Sequence, residues 1–170
     1  LIPEEVREGQ GIYVPVRITY PIVHGQKEYD FSTLENDLQQ LAAIYPFMQV
    51  EPIGSSVLGK PLYEIRLGRG VRVIHFNGSF HANEWITTPV LMQILNTFLL
   101  SLTNQDRIRG VETLSLYQNN TLSIVPMVNP DGVDLVIHGP PPERREEVLA
   151  INGWRQAFPN WKANIRGVDL

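Results

Sequence analysis

Residues 71–76 read VRVIHF and continue as NGSFHANEW, an apolar run followed by a short polar loop that contains His81 and Glu84. A run that is almost wholly apolar is typical of a central strand with both faces covered by helices. Residues 84–102 then carry apolar side chains at helical spacing, and 122–128 is a second β-branched apolar run. Strand, crossover helix and strand in this order predict a right-handed βαβ unit.

The segments before this unit are also patterned. Ser32 and Glu35 have the spacing of a capping box, which predicts a helix from Phe31 with one apolar stripe. Two short strands are predicted near 49–53 and 62–67, where the second alternates apolar and polar side chains. A β-hairpin fits these two strands best.

The segments after the unit are less regular. The sequence Asn129-Pro130-Asp131-Gly132 has strong turn chemistry. From His138 onward the chain is polar and rich in proline, which predicts a long loop leading to one more strand at 165–170. These patterns together predict an α/β fold with a mixed, mostly parallel central sheet covered by helices.

The organisation of the chain follows from its length. A chain of 170 residues can close one apolar core and has little left for a second full domain. Alternating apolar residues between Ile12 and Ile18 follow a glycine-rich turn and read as a half-buried strand. We therefore expect residues 1–25 to form an N-terminal arm and residues 26–170 to form one domain.

Composition excludes several classes of function. The net charge of −4 and the pI near 5.5 leave no broad cationic surface, so nucleic acid is not an expected partner. Polar residues interrupt the longest apolar stretch, and we expect no membrane span. Because the chain has no cysteine, any tightly bound metal must use His, Asp or Glu.

His81 and Glu84 form the most suggestive pair of metal-ligating residues. They follow the predicted strand at 71–76, and ligands in open α/β sheets gather beyond the carboxyl ends of strands. A catalytic zinc ion takes three protein ligands of N and O type and keeps one position open for water. A His and a Glu three residues apart can converge on one ion, although an exposed loop pair with no metal explains the same spacing.

Other ionisable residues are weaker candidates. His75 is expected to pack or hydrogen-bond within the sheet, while His24 and His138 are expected in loops with no acidic residue at metal-ligand spacing. The acidic residues of the charged run are expected to form a solvated face, and they are Glu143, Glu146 and Glu147.

Three motifs occur in order along the chain. The first is the stretch from His75 to Trp85, the second is IVPMVNPDGV at 124–133, and the third is NWKANIRGVDL at 160–170. Together they resemble the zinc carboxypeptidase family, from about Phe31 to the end of the chain. The run WKAN before GVDL is most similar to the bacterial γ-D-glutamyl-diamino acid peptidases, which cut cell-wall peptides.

The resemblance implies roles for four residues and one cofactor. His81 and Glu84 would be ligands of a catalytic Zn²⁺, and Asp169 would hold the His81 ring by its other nitrogen. Lys162 falls where many relatives have an arginine that polarises the scissile carbonyl, and it keeps the charge but not the bidentate fork. Residues 26–170 would then be the N-terminal part of a zinc peptidase domain of truncated fold.

The same resemblance implies that this part is incomplete. The family also needs a second zinc-binding histidine and a general-base glutamate, which are expected beyond Leu170. We therefore expect the chain alone to be inactive, and to self-associate or to retain the missing C-terminal half. The bacterial cytoplasm or the cell wall is the expected location, with a peptide as substrate.

Two alternative readings stay open at this point. The segment GQGIYVP at 9–15 is similar to the closing strand of a LysM glycan-binding repeat, so residues 1–25 could be the remnant of a wall-binding module. An ordinary metallocarboxypeptidase or an N-acyl amino acid deacylase would use the same ligand pair. A serine hydrolase is disfavoured, because no G-x-S-x-G nucleophile elbow occurs in the chain.

Overall fold

The computed structural model describes residues 4–7, 9–25 and 28–170. Its strands are β1 (Glu4–Arg7), β2 (Ile12–Val14), β3 (Gln49–Ser55), β4 (Pro61–Gly68), β5 (Arg72–Asn77), β6 (Arg107–Ile108), β7 (Val111–Glu112) and β8 (Asn120–Val125). Its helices are α1 (Phe31–Ile44), α2 (Thr87–Thr103), α3 (Thr113–Asn119), α4 (Pro130–His138) and α5 (Arg145–Ile151), with short 3-10 turns at Ala82–Glu84 and Pro142–Arg144.

The main sheet has four strands in the order β3-β4-β8-β5. β3 and β4 form the predicted antiparallel hairpin, β4 pairs antiparallel with β8, and β8 pairs parallel with β5 after the α2 crossover. A mixed sheet packed with helices is therefore confirmed. Among the described residues, one of the three strand pairs is parallel.

β5 lies at the edge of this sheet. All six of its residues are exposed, and Val73, Ile74 and Phe76 retain 52%, 37% and 41% of their accessible surface. An apolar groove of about 560 Å³ runs between β5 and α2. The prediction of a central, covered strand at 71–76 is thus wrong for the described residues, because no described element pairs with the free edge of β5.

α1 begins at Phe31 as predicted, and it buries Leu34, Leu38 and Leu41 in the core. Its N-cap is Asp30, whose side chain accepts a hydrogen bond from the Thr33 amide at 2.8 Å. The predicted capping box does not supply the cap. Asp30 precedes the first helical residue and already satisfies a free N–H of the first turn.

α2 is the main core helix, and Leu95, Leu99 and Leu102 on it are completely buried. The continuous helical stretch Ala82–Thr103 is long and apolar enough, by length and composition, to cross a membrane. Half of its apolar window is buried inside the fold, as in a core helix, so the stretch is only a weak indication of a span.

The N-terminal arm packs against the second half of α2. The amides of Ile22 and Val23 donate to Asn96 Oδ1 at 2.7 and 2.8 Å, and Arg7 Nε donates to the Leu102 carbonyl at 2.8 Å. The arm also contributes apolar side chains to the main core, and they are Val6, Ile12, Val14, Ile18 and Val23. The division after residue 25 and the LysM-like reading stay predictions.

The segment after β8 differs from its prediction. Asn129 and Pro130 do not close a loop but start α4, where Asn129 Oδ1 accepts a hydrogen bond from the Gly132 amide at 3.1 Å. Pro130 occupies the first turn, where its missing N–H leaves no bond unmade. α4 places Gly132 against the loop that carries His81.

Candidate metal centre

The loop at 78–84 leaves the carboxyl end of β5 and is bonded to the segment that leaves β8. The Gly78 amide donates to the Val125 carbonyl at 3.1 Å, and the Asn129 amide donates to the Ser79 carbonyl at 3.0 Å. The site therefore lies beyond the carboxyl ends of two parallel strands, as expected for an α/β sheet.

Ser79 sets the direction of this loop. It is buried and has φ of 53°, a left-handed conformation that is uncommon for a residue other than glycine. Its amide donates to Thr87 Oγ1 at 2.8 Å, and its hydroxyl lies 2.7 Å from Thr88 Oγ1. These contacts with the first turn of α2 hold the strained backbone in place.

A second segment, at 161–163, forms the other side of the loop. The Ala82 amide donates to the Lys162 carbonyl and the Asn83 amide donates to the Trp161 carbonyl, both at 3.0 Å. Residues 80 and 78 positions apart in sequence are thereby joined by main-chain hydrogen bonds. The backbone of the 3-10 turn that carries Glu84 is fixed as a result.

Asn129 and Gly132 complete the support. The Asn129 side-chain amide donates to the carbonyls of Phe80 and Ala163 at 3.1 and 3.0 Å, so it bridges the two segments. A Cβ atom on Gly132 would lie 2.8 Å from the Cβ of Ala82, closer than such atoms approach each other. Glycine at this position allows α4 to reach the site loop.

Asp169 is presented by a turn and not by a strand. Asn164 Oδ1 accepts hydrogen bonds from the backbone amides of Arg166 and Val168 at 2.9 and 3.1 Å, and the backbone N–H of Asn164 donates to the Val168 carbonyl at 2.8 Å. The predicted strand at 165–170 is therefore wrong. Side-chain bonding of this kind competes with strand formation and folds the segment back toward His81.

The structure brings His81, Glu84 and Asp169 together. His81 Nδ1 lies 3.2 Å from Glu84 Oε1, and His81 Nε2 lies 3.3 Å from Asp169 Oδ1. The exposed fractions of the three side chains are 31%, 51% and 72%. The imidazole thus stands between two carboxylates at the surface of the described structure.

The donor set fits a metal ion. His81 Nδ1 is buried and has no aligned hydrogen bond, although the Glu84 carboxylate stands beside it. A metal-binding imidazole normally has its second nitrogen held by a carboxylate, which is the place of Asp169. Zinc binds imidazole nitrogen and carboxylate oxygen readily. Within residues 4–7, 9–25 and 28–170, no three His, Asp or Glu side chains are grouped as a complete metal site.

Lys162 lies in the wall of a cleft that also includes Asp169. Its side chain is exposed, and its carbonyl bonds the Ala82 amide of the site loop. Trp161, beside it, is buried with an indole N–H that has no described partner. The position of Lys162 is compatible with a cation near the substrate, and its role as carbonyl-polarising group stays a prediction.

The other histidines are engaged elsewhere. His75 Nδ1 lies 2.8 Å from Ser123 Oγ, which donates to Glu64 Oε1 at 2.5 Å, so His75 hydrogen-bonds within the sheet as predicted. His138 ends α4 and does not lie in a loop, and its Nε2 is 2.8 Å from Asp30 Oδ2.

The acidic run from Glu143 is exposed, as predicted for a solvated face. Glu146 and Glu147 lie in the first turn of α5, where Glu147 pairs with Arg144 at 2.7 Å. Carboxylates at a helix N-terminus are favoured by its partial positive charge, which accounts for them without catalysis.

Sequence reasoning missed three residues that build the site, namely Ser79, Asn129 and Asn164. For Asn129, an asparagine directly before a proline is a recognised helix start, so the beginning of α4 could have been found. For Asn164, the asparagine two residues before Arg166 could have indicated an Asx turn. No local signal indicates that Asn129 also bonds the carbonyls at 80 and 163.

Two curated proteins are similar to this chain along most of its length. The chain is 54% identical over 156 residues to gamma-D-glutamyl-L-diamino acid endopeptidase 1 of Lysinibacillus sphaericus, an alignment that covers 91% of this chain and 39% of that protein. It is 42% identical to the Bacillus subtilis (strain 168) protein YqgT, over 87% of this chain and 40% of that protein. The chain therefore spans about two fifths of the length of these relatives.

A solved structure of similar fold and a family sequence pattern also match this chain. The crystal structure of carboxypeptidase A from Helicoverpa armigera superposes with a TM-score of 0.57 at 19% identity, covering 81% of this chain and 29% of that one. The sequence pattern described as zinc carboxypeptidase matches residues 34–170, which confirms zinc as the expected metal. On this match the chain belongs to the zinc carboxypeptidase family.

Proposed function

We propose that this chain forms the N-terminal part of a zinc peptidase domain, in which His81 and Glu84 are two of the metal ligands and Asp169 orients the imidazole. One observation carries the proposal. The Nδ1 atom of His81 is buried without a hydrogen bond beside Glu84, while Nε2 of the same ring faces Asp169. A His–Glu pair in a solvated loop would not be expected to have one ring nitrogen buried and the other facing a carboxylate.

Asp169 and Lys162 have different proposed roles beside the metal. When bound, zinc would supply a Lewis acid for the peptide carbonyl and a water of lowered pKa. Asp169 fixes the orientation of the His81 ring and raises its basicity as a ligand. Lys162 places a cation in the neighbouring cleft, where it stabilises negative charge that develops on the carbonyl oxygen.

The substrate follows from the relatives. The identity of 54% to a γ-D-glutamyl-L-diamino acid endopeptidase supports hydrolysis of the γ-D-glutamyl-diamino acid bond of bacterial cell-wall peptides. A panel of substrates tests this with the full-length, zinc-loaded protein. It contains a γ-D-glutamyl-diaminopimelate peptide, a plain C-terminal dipeptide and an N-acyl amino acid.

Preferred cleavage of the γ-linked peptide supports the proposal. Preference for either of the other compounds identifies an ordinary carboxypeptidase or a deacylase. The place of action would be the bacterial cytoplasm or the cell wall, where such peptides occur, and cell fractionation with an antibody against the protein distinguishes the two.

The remaining catalytic groups are proposed to come from polypeptide that adds to the sheet at β5. The unpaired edge of β5 and the apolar groove beside α2 support this, as does the share of the relatives that the chain spans. Residues 1–170 alone should show no EDTA-sensitive turnover and should self-associate in size-exclusion chromatography with light scattering. A monodisperse, active monomer would contradict this part of the proposal.

A further inference from the structure

A cleft of about 850 Å³ lies beside the candidate metal centre. Asp169, which faces the His81 ring, lines it together with Lys162. The rest of the wall comes from Asn152 and from residues 155–163, which include Arg155. The cleft thus leads from the second carboxylate of the site to a cationic side chain that the proposed mechanism does not use.

The segment that carries Arg155 is well fixed. The Asn152 side-chain amide donates to the carbonyls of Arg155 and Ala157 at 2.9 and 3.1 Å. Behind it, Phe158 and Trp161 are buried and packed edge to face, with ring centroids 5.7 Å apart. The backbone of Arg155 is therefore held at a set position along the cleft.

The charge of the cleft favours an anion. Arg155 and Lys162 both line it, and neither side chain forms an ion pair with any residue that the structure describes. Asp169 is the single acidic residue in the described lining, and it is engaged with His81. Two unpaired cations in a concave surface attract a negatively charged group, in a protein whose net charge is −4.

The proposed substrate offers such a group close to its scissile bond. A γ-linked glutamyl residue forms its peptide bond through the side-chain carboxyl, so its α-carboxylate stays free. Four carbon–carbon bonds separate the two carboxyl carbons, which gives a reach of about 5 Å. In an α-linked peptide the main-chain carboxyl is the scissile group, so only an acidic side chain could supply a carboxylate at this distance, and most α-linked residues have none.

We infer that Arg155 binds the free α-carboxylate of the γ-glutamyl residue on the acyl side of the scissile bond, and that this contact selects γ-linked peptides. The inference rests on the proposed function and names the residue that gives it specificity. Arginine suits the task because its planar fork can bond both carboxylate oxygens at once. Lys162 keeps its proposed role beside the scissile carbonyl.

The test uses two peptides that differ in one group. Both contain the γ-D-glutamyl-diamino acid bond, and the α-carboxyl of the glutamyl residue is free in one and amidated in the other. With full-length, zinc-loaded protein, R155Q should lower kcat/KM for the free acid by about 10- to 100-fold, as expected for a lost charge-assisted contact. The same variant should change kcat/KM for the amide by less than about 2-fold.

Two further variants serve as controls. R155K keeps the charge without the fork and should recover part of the activity on the free acid. R17Q removes an exposed arginine that is far from the site. The neighbouring Ile18 carbonyl accepts a hydrogen bond from the Asn104 side chain at the C-terminal end of α2, about 25 Å along the helix from the site. R17Q should leave both rates unchanged. Equal losses with R155Q on both peptides would overturn the inference and leave the proposed hydrolysis intact.

A binding measurement separates the two proposals. If the wild-type protein cleaves neither peptide, the proposed function fails, and isothermal titration with the same uncut peptides still decides the role of Arg155. Tighter binding of the free acid than of the amide, lost in R155Q, would support the contact. Equal affinity of the wild-type protein for both peptides would refute it.

Discussion

Replacing Asp169 by asparagine should weaken zinc binding. Asp169 Oδ1 lies 3.3 Å from His81 Nε2, so its charge holds the ring and raises the basicity of the opposite nitrogen. Loss of such a partner typically lowers metal affinity by about 10- to 100-fold. Because Asp169 is 72% exposed and water screens its charge, we expect the lower end, about 10-fold or ~1.4 kcal/mol.

The affinity can be measured by competition with a chromophoric zinc chelator, using the full-length protein at neutral pH. D106N is the matched control, since Asp106 is an exposed carboxylate in the turn before β6 and has no contact with the site. H81A, which deletes a proposed ligand, should lower the affinity much more than D169N.

Two results would refute this reasoning. If D169N binds zinc as tightly as D106N, the carboxylate does not support a metal-bound imidazole. If H81A binds zinc as tightly as the wild-type protein, the metal is held elsewhere, and the ligand assignment falls with it.

Three further predictions concern stability, each measured by chemical denaturation. Burial alone would raise the pKa of Asp30, but its hydrogen bonds hold the pKa well below the usual range. D30A should therefore lower the free energy of unfolding by about 1 kcal/mol at pH 7, and this loss should shrink as pH falls below about 4. Burial raises the pKa of Asp37 despite the hydrogen bond from Tyr29, so its charged form destabilises the fold. D37N should therefore be more stable than wild type at pH 7, with an advantage that disappears as pH falls below about 4. G132A should lower the free energy of unfolding by about 1–3 kcal/mol, because the added Cβ overpacks the contact between α4 and the site loop. Unchanged stability would show that this contact can relax.

Local sequence determined the elements whose patterns are complete within a short window. The stripe of α1, the alternation in β4 and the strand-helix-strand order around α2 all have the periodicity of their structure, because each element buries one face. His81 and Glu84 are three residues apart, so the sequence showed that they could meet in one loop, while the motifs around them pointed to a metal site.

The family resemblance placed Asp169 beside His81, but only the tertiary structure showed how the chain brings it there. Asp169 reaches His81 because the side chain of Asn164 folds a segment whose composition predicts a strand. The exposure of β5 could not be predicted either. An apolar run indicates that a strand is suited to burial, but it does not indicate which element covers the strand. Contacts between residues far apart in sequence depend on the packing of whole elements, and no local pattern records them.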